Sequence, residues 1–184
     1  IRMNKTVEYI WIDGTPGSPQ VRGKTRVLGE FEAPKDWNFD GGSTHQGTLE
    51  DSDTILHPVR TYRDPFRREG ENFIALCEVR NSDSSTHSTN SRAELRLQCN
   101  LPVSKDSQSL FGFEQEYTLI GPDGPLETEN PTQAYCGVGN SKVQGRELAE
   151  AHLQACMYAG VGMYGINAEV LIGQWEFQTS PMDP

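Results

Sequence analysis

Two glutamates interrupt an aromatic segment in the middle of the chain. Residues 111–119 read FGFEQEYTL, and the phenylalanines and the tyrosine favour a β-strand there. Because side chains alternate between the two faces of a strand, Glu114 and Glu116 share one face, with their carboxylates roughly 7 Å apart. Carboxylates this close repel each other where water is excluded, so a positive charge between them would stabilise the pair.

A second carboxylate pair is predicted closer to the C-terminus. Two strand-like pieces, INAEV and WEFQ, flank the glycine-containing connection 171–174 and predict a β-hairpin. In that hairpin Val170 pairs with Trp175, which places Glu169 directly opposite Glu176. Like charges that face each other across a β-ladder are destabilising. The sequence therefore predicts two pairs of glutamates whose like charges lie unfavourably close together.

Two interpretations of these pairs are open. Acidic residues on strands usually form only the solvent-exposed face of a sheet. Alternatively, the four glutamates converge and hold two hard divalent cations such as Mg²⁺, which prefer carboxylate oxygens and keep water ligands for substrate phosphates. Ions held in this way stabilise phosphoryl transfer by neutralising charge on the transferred group.

Composition excludes several classes of protein. The 184 residues carry a formal net charge of −10, and no basic stripe suited to nucleic-acid phosphates appears. No apolar run approaches the ~20 residues that a membrane span needs. The cysteines have no metal-binding spacing, so we expect them to be reduced and mostly buried; they are Cys77, Cys99, Cys136 and Cys156. These features together predict a cytoplasmic protein.

The chain divides into a strand-rich first part, residues 1–104, and a mixed second part, residues 105–184. The predictions for the first part are an antiparallel strand pair (7–14 and 23–32), a long surface loop (34–53), a central strand (NFIALCEVR), a short helix (SRAELRLQCN) and a polar linker (103–109). In the second part, the clearest predicted helix spans residues 145–160. Its expected apolar face is Leu148, Ala151, Ala155 and Ala159, and Gly160 is its expected left-handed cap.

Eight segments, taken together, resemble glutamine synthetase of the eukaryotic type, also called type II. They are EYIWIDG, WNFDGGST, DPFR, FGFEQEYTL, YCGVG, GRELAEAH, YAGVGMYGINAEV and GQWEFQ. They occur in the order of the family and cover essentially the whole chain. The resemblance implies an α+β fold, with a β-grasp-like N-terminal domain (1–104) followed by part of a split-barrel catalytic domain (105–184).

The resemblance also implies roles for particular residues. The implied metal ligands are Glu114, Glu116, Glu169 and Glu176, which hold two or more Mg²⁺ or Mn²⁺ ions. The implied ATP site comprises Glu114, Glu176, Phe177, Gln178, Thr179, Ser180 and Pro181. Asp40 matches the aspartate of the family's NFDGSS loop, which helps to bind ammonium in the active site of the neighbouring subunit of a ring-shaped homo-oligomer.

The implied reaction is the ATP-dependent ligation of ammonia to the γ-carboxylate of L-glutamate through γ-glutamyl phosphate. The chain departs from the family pattern at Gly42, where a serine is usual, and at Thr179 and Ser180, where isoleucine and glycine are common. It also stops at Pro184, about halfway through a typical member, so the stable molecule is expected to contain more protein. Two alternatives therefore stay open: a truncated, inactive relative that acts as a binding or regulatory module on a complete synthetase, and ligation of glutamate to another amine.

Overall fold

The computed structural model describes residues 4–48, 50–122, 124–125, 134–139 and 141–184. The chain forms two compact units, which divide between Ser107 and Gln108. The predicted domain boundary, between residues 104 and 105, falls inside a short helix, Pro102–Asp106, in the stretch expected to be a linker. Proline favours the first turn of a helix, because its missing N–H has no partner there in any case.

A mixed β-sheet forms the framework of the first unit. Its strands are β1 (Lys5–Ile12), β2 (Val21–Leu28), β3 (Trp37–Asp40), β4 (Asp53–Arg63) and β5 (Phe73–Arg80), in the order β2-β1-β5-β4-β3. As predicted, β1 pairs antiparallel with β2, and the apolar strand β5 is central. Helices α1 (Ser91–Cys99) and α2 (Pro102–Asp106) follow β5, and the predicted α+β class is confirmed.

One face of this sheet forms the core of the first unit. Its buried apolar side chains are Val7, Tyr9, Trp11, Leu28, Phe39, Leu56, Ala75, Cys77 and Val79. Trp37 packs edge-on against Tyr9 with ring centroids 5.3 Å apart, and Lys24 Nζ lies over the Trp37 ring at 3.6 Å. Burial, with the Asp36 carboxylate adding to it, raises the pKa of the Cys77 thiol to about 12. That thiol is therefore a small core residue and not a nucleophile.

Residues 34–53 are not the long surface loop that their polar composition predicts. They contain β3 and, directly after it, a 3₁₀ helix at Gly41–Thr44. β3 adds to the sheet because Phe39 enters the core. Asp40 caps the 3₁₀ helix, since its carboxylate accepts hydrogen bonds from the Gly42 N–H at 3.0 Å and from the Ser43 hydroxyl at 2.7 Å.

Gln46 anchors this turn to β1. Its side chain is buried, and both ends of its amide have partners. Oε1 accepts hydrogen bonds from Trp11 Nε1 at 3.2 Å and Thr44 Oγ1 at 3.0 Å. Nε2 donates to the Ile12 carbonyl at 3.1 Å and to Thr89 Oγ1 at 2.8 Å. The sequence gives no signal of this role, because a glutamine in a polar segment looks like a surface residue.

We expect Gln46→Ala to lower the free energy of unfolding by about 2–4 kcal/mol. The change leaves the buried Trp11 N–H without its partner and removes one of the two acceptors near the Thr44 hydroxyl, which keeps the Gly41 carbonyl at 3.2 Å. Denaturant unfolding followed by tryptophan fluorescence measures this change. The matched control is Gln20→Ala, since the Gln20 side chain is exposed and, among the described residues, donates only to Ser18 nearby in the chain. Equal losses in the two variants would show that the buried amide does not hold the turn.

The second unit combines an antiparallel sheet with a long helix. The strands β6 (Glu114–Thr118), β9 (Met163–Ala168) and β10 (Gln174–Thr179) pair in the order β6-β10-β9, while β7 (Ile120–Gly121) pairs with β8 (Gly124–Pro125). Helix α3 (Arg146–Ala159) ends at Gly160, whose φ of 84° confirms the predicted left-handed cap. None of the helices in the described ranges is both long enough and apolar enough to cross a membrane.

The buried face of α3 differs from the predicted one. Leu148 is 61% exposed, whereas the neighbouring Ala149 is fully buried. His152 and Cys156 continue the Ala149 face at helical spacing and are partly buried. The prediction was wrong for Leu148 and Ala151, which are exposed, whereas Ala155 and Ala159 are partly buried as expected. It missed Ala149, His152 and Cys156 because a histidine was not counted as a packing residue.

Candidate metal centre

The sheet β6-β10-β9 has two chemically different faces. One face is apolar and belongs to a core cluster with α3; this cluster contains Tyr117, Leu119, Val143, Ala149, Ile166, Ala168 and Trp175. Because side chains alternate along a strand, the intervening residues point to the other face. They are Glu114, Glu116, Asn167, Gln174, Glu176 and Gln178. Packing of the apolar face thus fixes which surface carries the carboxylates.

Glu116 and Glu176 lie directly opposite each other in the β6–β10 ladder. The predicted pairing of Glu169 with Glu176 is wrong, because Asn167 stands opposite Glu176 in the β9–β10 ladder. The hairpin connection is longer than expected and ends at Gly173, which takes a positive φ of 76° that suits glycine. The like-charge contact therefore lies between β6 and β10, and not between the two strands of the β9–β10 hairpin.

Three carboxylates nevertheless converge. One oxygen from each of Glu116, Glu169 and Glu176 lies within 4.8 Å of the other two. Glu116 is exposed, and the other two side chains are partly buried. A set of converging carboxylate oxygens is what Mg²⁺ or Mn²⁺ prefers, so these residues fit a hard divalent cation.

Side-chain amides surround the three carboxylates. Gln174 Nε2 donates to Glu116 Oε2 at 2.6 Å, Asn167 Nδ2 to Glu169 Oε1 at 2.9 Å, and Gln178 Nε2 to Glu176 Oε1. Amides are neutral donors, so they orient the oxygens without cancelling their charge. Among the described residues, the salt bridges all involve other carboxylates. The cluster therefore keeps its negative charge, which would favour a bound cation.

The fourth predicted ligand, Glu114, lies beside an open groove of about 710 Å³. It is on the same face as Glu116, opposite Gln178, but outside the group of three converging carboxylates found among the described residues. The groove is lined by Gly112, Phe113, Glu114, Tyr164, Gln178, Thr179 and Pro181. Four predicted nucleotide-binding residues are thus on this lining. Phe113 and Tyr164, 68% and 79% exposed, were missed by the sequence analysis and offer aromatic surface there.

Two other predicted nucleotide-binding residues are placed differently. The Phe177 ring lies on the α3 side of the sheet, 5.1 Å from the His152 ring, so its side chain is a packing element. Ser180 bonds to Gly162 through its backbone N–H at 2.8 Å. The Phe177 side chain is therefore not available to a ligand on the carboxylate face.

His152 packs beneath the carboxylate pair. Its ring contacts Phe177 and Tyr117, the residues that follow Glu176 and Glu116 on their strands. Nε2 is 3.4 Å from the Cys156 sulfur, whereas the buried Nδ1 has no hydrogen-bond partner among the described residues. The structure thus places this histidine in the packing role that its helical position predicts, on the face opposite the carboxylates.

Tyr135 lies beside the carboxylate cluster and was not identified from the sequence. The neighbouring Cys136 raises the pKa of Tyr135, and the negative charges of Glu169 and Glu176 add to the effect. The backbone N–H of Cys136 bonds to the Ala168 carbonyl at 3.0 Å, which fixes this loop at the end of β9.

The expectation that Cys136 is buried is wrong, because its side chain is exposed. Cys77 is buried, and Cys99 and Cys156 are partly buried.

Asp40 belongs to the first unit and is exposed at the end of β3. It lies opposite Asp53 in the β3–β4 ladder, and its carboxylate caps the following turn. A Cβ atom on Gly42 would sit 3.1 Å from Asp40 Oδ1, so a serine at that position would crowd the cap slightly. The structure therefore gives Asp40 a local structural role, and its implied role with ammonium stays a prediction.

Sequence comparisons show which proteins this chain resembles. A glutamine synthetase of Streptomyces hygroscopicus is 42% identical over 99% of this chain and 55% of its own length. A glutamine synthetase of Emericella nidulans is 46% identical over 95% of this chain and 50% of its own. In Drosophila melanogaster, "Glutamine synthetase 1, mitochondrial" is 44% identical over 94% of this chain and 45% of its own length. The predicted resemblance is confirmed, and the chain spans about half the length of these relatives.

The fold also has a counterpart among solved structures. The structure of a "GmaS/ADP complex" superimposes with a TM-score of 0.66 over 96% of this chain and 42% of the other, at 16% sequence identity. This likeness supports the predicted fold class. No protein-family model matches the chain.

In metal-free protein, we expect Glu176→Gln to raise the unfolding temperature. The change removes the like charge opposite Glu116 and keeps an acceptor for Gln178, for a gain of up to ~1 kcal/mol. Differential scanning calorimetry after treatment with a chelator measures it. The control is Glu147→Gln in the first turn of α3, which should be slightly destabilising because a helix N-terminus favours negative charge. A lowered melting temperature for Glu176→Gln would contradict the repulsion.

Proposed function

We propose that the protein acts as a glutamine synthetase, which ligates ammonia to the γ-carboxylate of L-glutamate at the expense of ATP. One observation carries the proposal: Glu116, Glu169 and Glu176 converge within 4.8 Å in a chain that is more than 40% identical to glutamine synthetases. A solvated acidic sheet face alone does not account for the convergence, because Glu169 comes from a loop beyond the end of β9.

In this proposal Glu116, Glu169 and Glu176 hold Mg²⁺ or Mn²⁺, and Glu114 joins them when a second ion is present. When bound, such ions neutralise negative charge on the phosphates of ATP. The carboxylates fix where the charge is neutralised, since their own positions follow from the strand ladders and the amide hydrogen bonds.

ATP is proposed to occupy the groove beside Glu114. Gln178, Thr179 and Pro181 line it, and Phe113 and Tyr164 provide aromatic surface for an adenine ring. The groove adjoins the carboxylate cluster through Glu114 and Gln178, which are on the same face of the sheet as Glu176. The solved structure with a similar fold is a complex with ADP, which is consistent with a nucleotide site in this fold.

The proposed reaction has two steps. A γ-carboxylate oxygen of glutamate attacks the γ-phosphorus of ATP, which forms γ-glutamyl phosphate and releases ADP. Ammonia then attacks the acyl carbon, the C–O bond to phosphate breaks, and glutamine and phosphate leave. Asp40 is proposed to attract ammonium by its negative charge and to accept the proton that ammonium loses before the attack.

The assembly and location are parts of the same proposal. Asp40 is assigned to the active site of a neighbouring subunit in a homo-oligomeric ring, so the complete site needs at least two copies of the protein. We place the protein in the cytoplasm, where its free cysteines would stay reduced.

The decisive experiment measures phosphate release by the intact natural protein with ATP, glutamate and Mg²⁺. We expect release to depend on added ammonium, and Glu116→Ala to abolish it. The control is Gln115→Ala on the same strand, because the exposed Gln115 side chain is outside the carboxylate cluster. Ammonium-independent ATP hydrolysis, or equal activity of the two variants, would overturn the assignment.

The same assay separates the alternatives. An intact protein that binds Mn²⁺ but releases no phosphate would indicate an inactive relative, with a binding or regulatory role on a complete synthetase. Release that depends on methylamine or another amine in preference to ammonium would indicate a different ligase.

Asp40→Asn tests the proposed role of the first unit. Asparagine keeps the oxygen that caps the turn, so the melting temperature should stay within about 1 °C, while ammonium-dependent activity falls because the charge and the proton acceptor are lost. Initial rates measured over a series of ammonium concentrations report the loss. Asp53→Asn, at the position opposite Asp40, is the matched control and should retain activity. Full activity of Asp40→Asn would exclude the role.

A further inference from the structure

Asn167 lies at the centre of the polar face and uses both ends of its side-chain amide. Nδ2 donates to Glu169 Oε1 at 2.9 Å, and Oδ1 accepts from Gln178 Nε2 at 2.7 Å. The same Gln178 nitrogen also donates to Glu176. One amide therefore connects, directly or through one neighbour, two of the three converging carboxylates.

The orientation of this amide is determined by its partners. An ionised carboxylate only accepts hydrogen bonds, so the Asn167 atom that faces Glu169 must be the NH₂ group. With the amide reversed, the carbonyl oxygen would face the Glu169 oxygen, and the Gln178 NH₂ group would meet another donor. Both hydrogen bonds would be lost. The side chain is partly buried and stands directly opposite Glu176 in the ladder, which restricts its movement further.

Glu169 depends on this contact more than the other two glutamates do. Glu116 and Glu176 lie within the β6–β10 ladder, whereas Glu169 follows the last residue of β9 and is tied to β10 by one backbone hydrogen bond, from its N–H to the Gln174 carbonyl at 2.9 Å. Among the described residues, its carboxylate is held by Asn167 and, at 3.3 Å, by the backbone N–H of Val170. Without the Asn167 donor, repulsion by the other carboxylates would favour rotation of Glu169 away from the cluster.

We propose that Asn167 is a positioning residue for the metal centre, which holds Glu169 directly and Glu176 through Gln178. This inference rests on the proposed metal-binding function of the three glutamates. Hydrogen-bond partners of metal ligands typically contribute about 10–100-fold to metal affinity, because they fix the ligand in the binding orientation before the ion arrives. Asn167 has the position and the bonding pattern of such a partner.

The test is Mn²⁺ titration of the intact natural protein by isothermal calorimetry, with no substrate present. We expect Asn167→Ala and the volume-conserving Asn167→Leu to weaken Mn²⁺ binding about 10–100-fold. The matched control is Ile166→Val on the adjacent position of β9, which disturbs the apolar face and should leave Mn²⁺ affinity unchanged. Thermal unfolding of all variants shows whether each is folded.

A double-mutant cycle shows whether Asn167 acts through its partner. In a Glu169→Ala background the further change Asn167→Ala should cost much less Mn²⁺ affinity than it does in the wild type, because the ligand that it holds is absent. If wild-type protein binds Mn²⁺ and the Asn167 variants bind equally well, or if the two effects are additive, the positioning role is overturned while the metal site stands. If wild-type protein takes up no Mn²⁺, the proposed metal site itself is overturned.

Discussion

The main constraint on the second unit is electrostatic repulsion. Glu116 and Glu176 lie directly opposite each other in one ladder, and the rest of the unit must hold them there. Such a pair costs up to about 1 kcal/mol. Burial of a large apolar side chain contributes about 1.5–3 kcal/mol, and Trp175, 1% exposed, lies on the opposite face of the same strand. Packing of the apolar face beneath α3 therefore outweighs the repulsion and keeps the two strands in this register.

Neutral amides complete this arrangement. A lysine or arginine in place of Gln174, Asn167 or Gln178 would form a salt bridge and cancel the charge that attracts a cation. An amide orients a carboxylate oxygen and leaves its charge in place. The first unit uses the same device, since the buried amide of Gln46 fixes the turn that presents Asp40. In both units a satisfied polar network maintains the position of an exposed or partly exposed acid.

Sequence patterns predicted correctly the elements that depend on their own residues. They failed where the structure depends on pairing with another part of the chain. Periodicity and the glycine cap located α3, and apolar composition identified β5 as central. The hairpin register was wrong because its pairing is determined by which residues of β9 and β10 the core accepts, Ala168 and Trp175, and not by the apparent loop length. The segment 34–53 was misread because Phe39, which enters the core, and the buried Gln46 are surrounded by polar neighbours.

By itself the sequence determined which residue types are available for chemistry, and its motifs identified the resemblance, because both are properties of the chain read in order. It determined that Glu114 and Glu116 share a face, since strand alternation is local. Only the tertiary structure decided that Glu116 faces Glu176, that Glu169 reaches them from a loop, and that Asn167 links them. Those relations depend on how separate strands are aligned, and the alignment follows from burial of side chains that are far apart in the sequence.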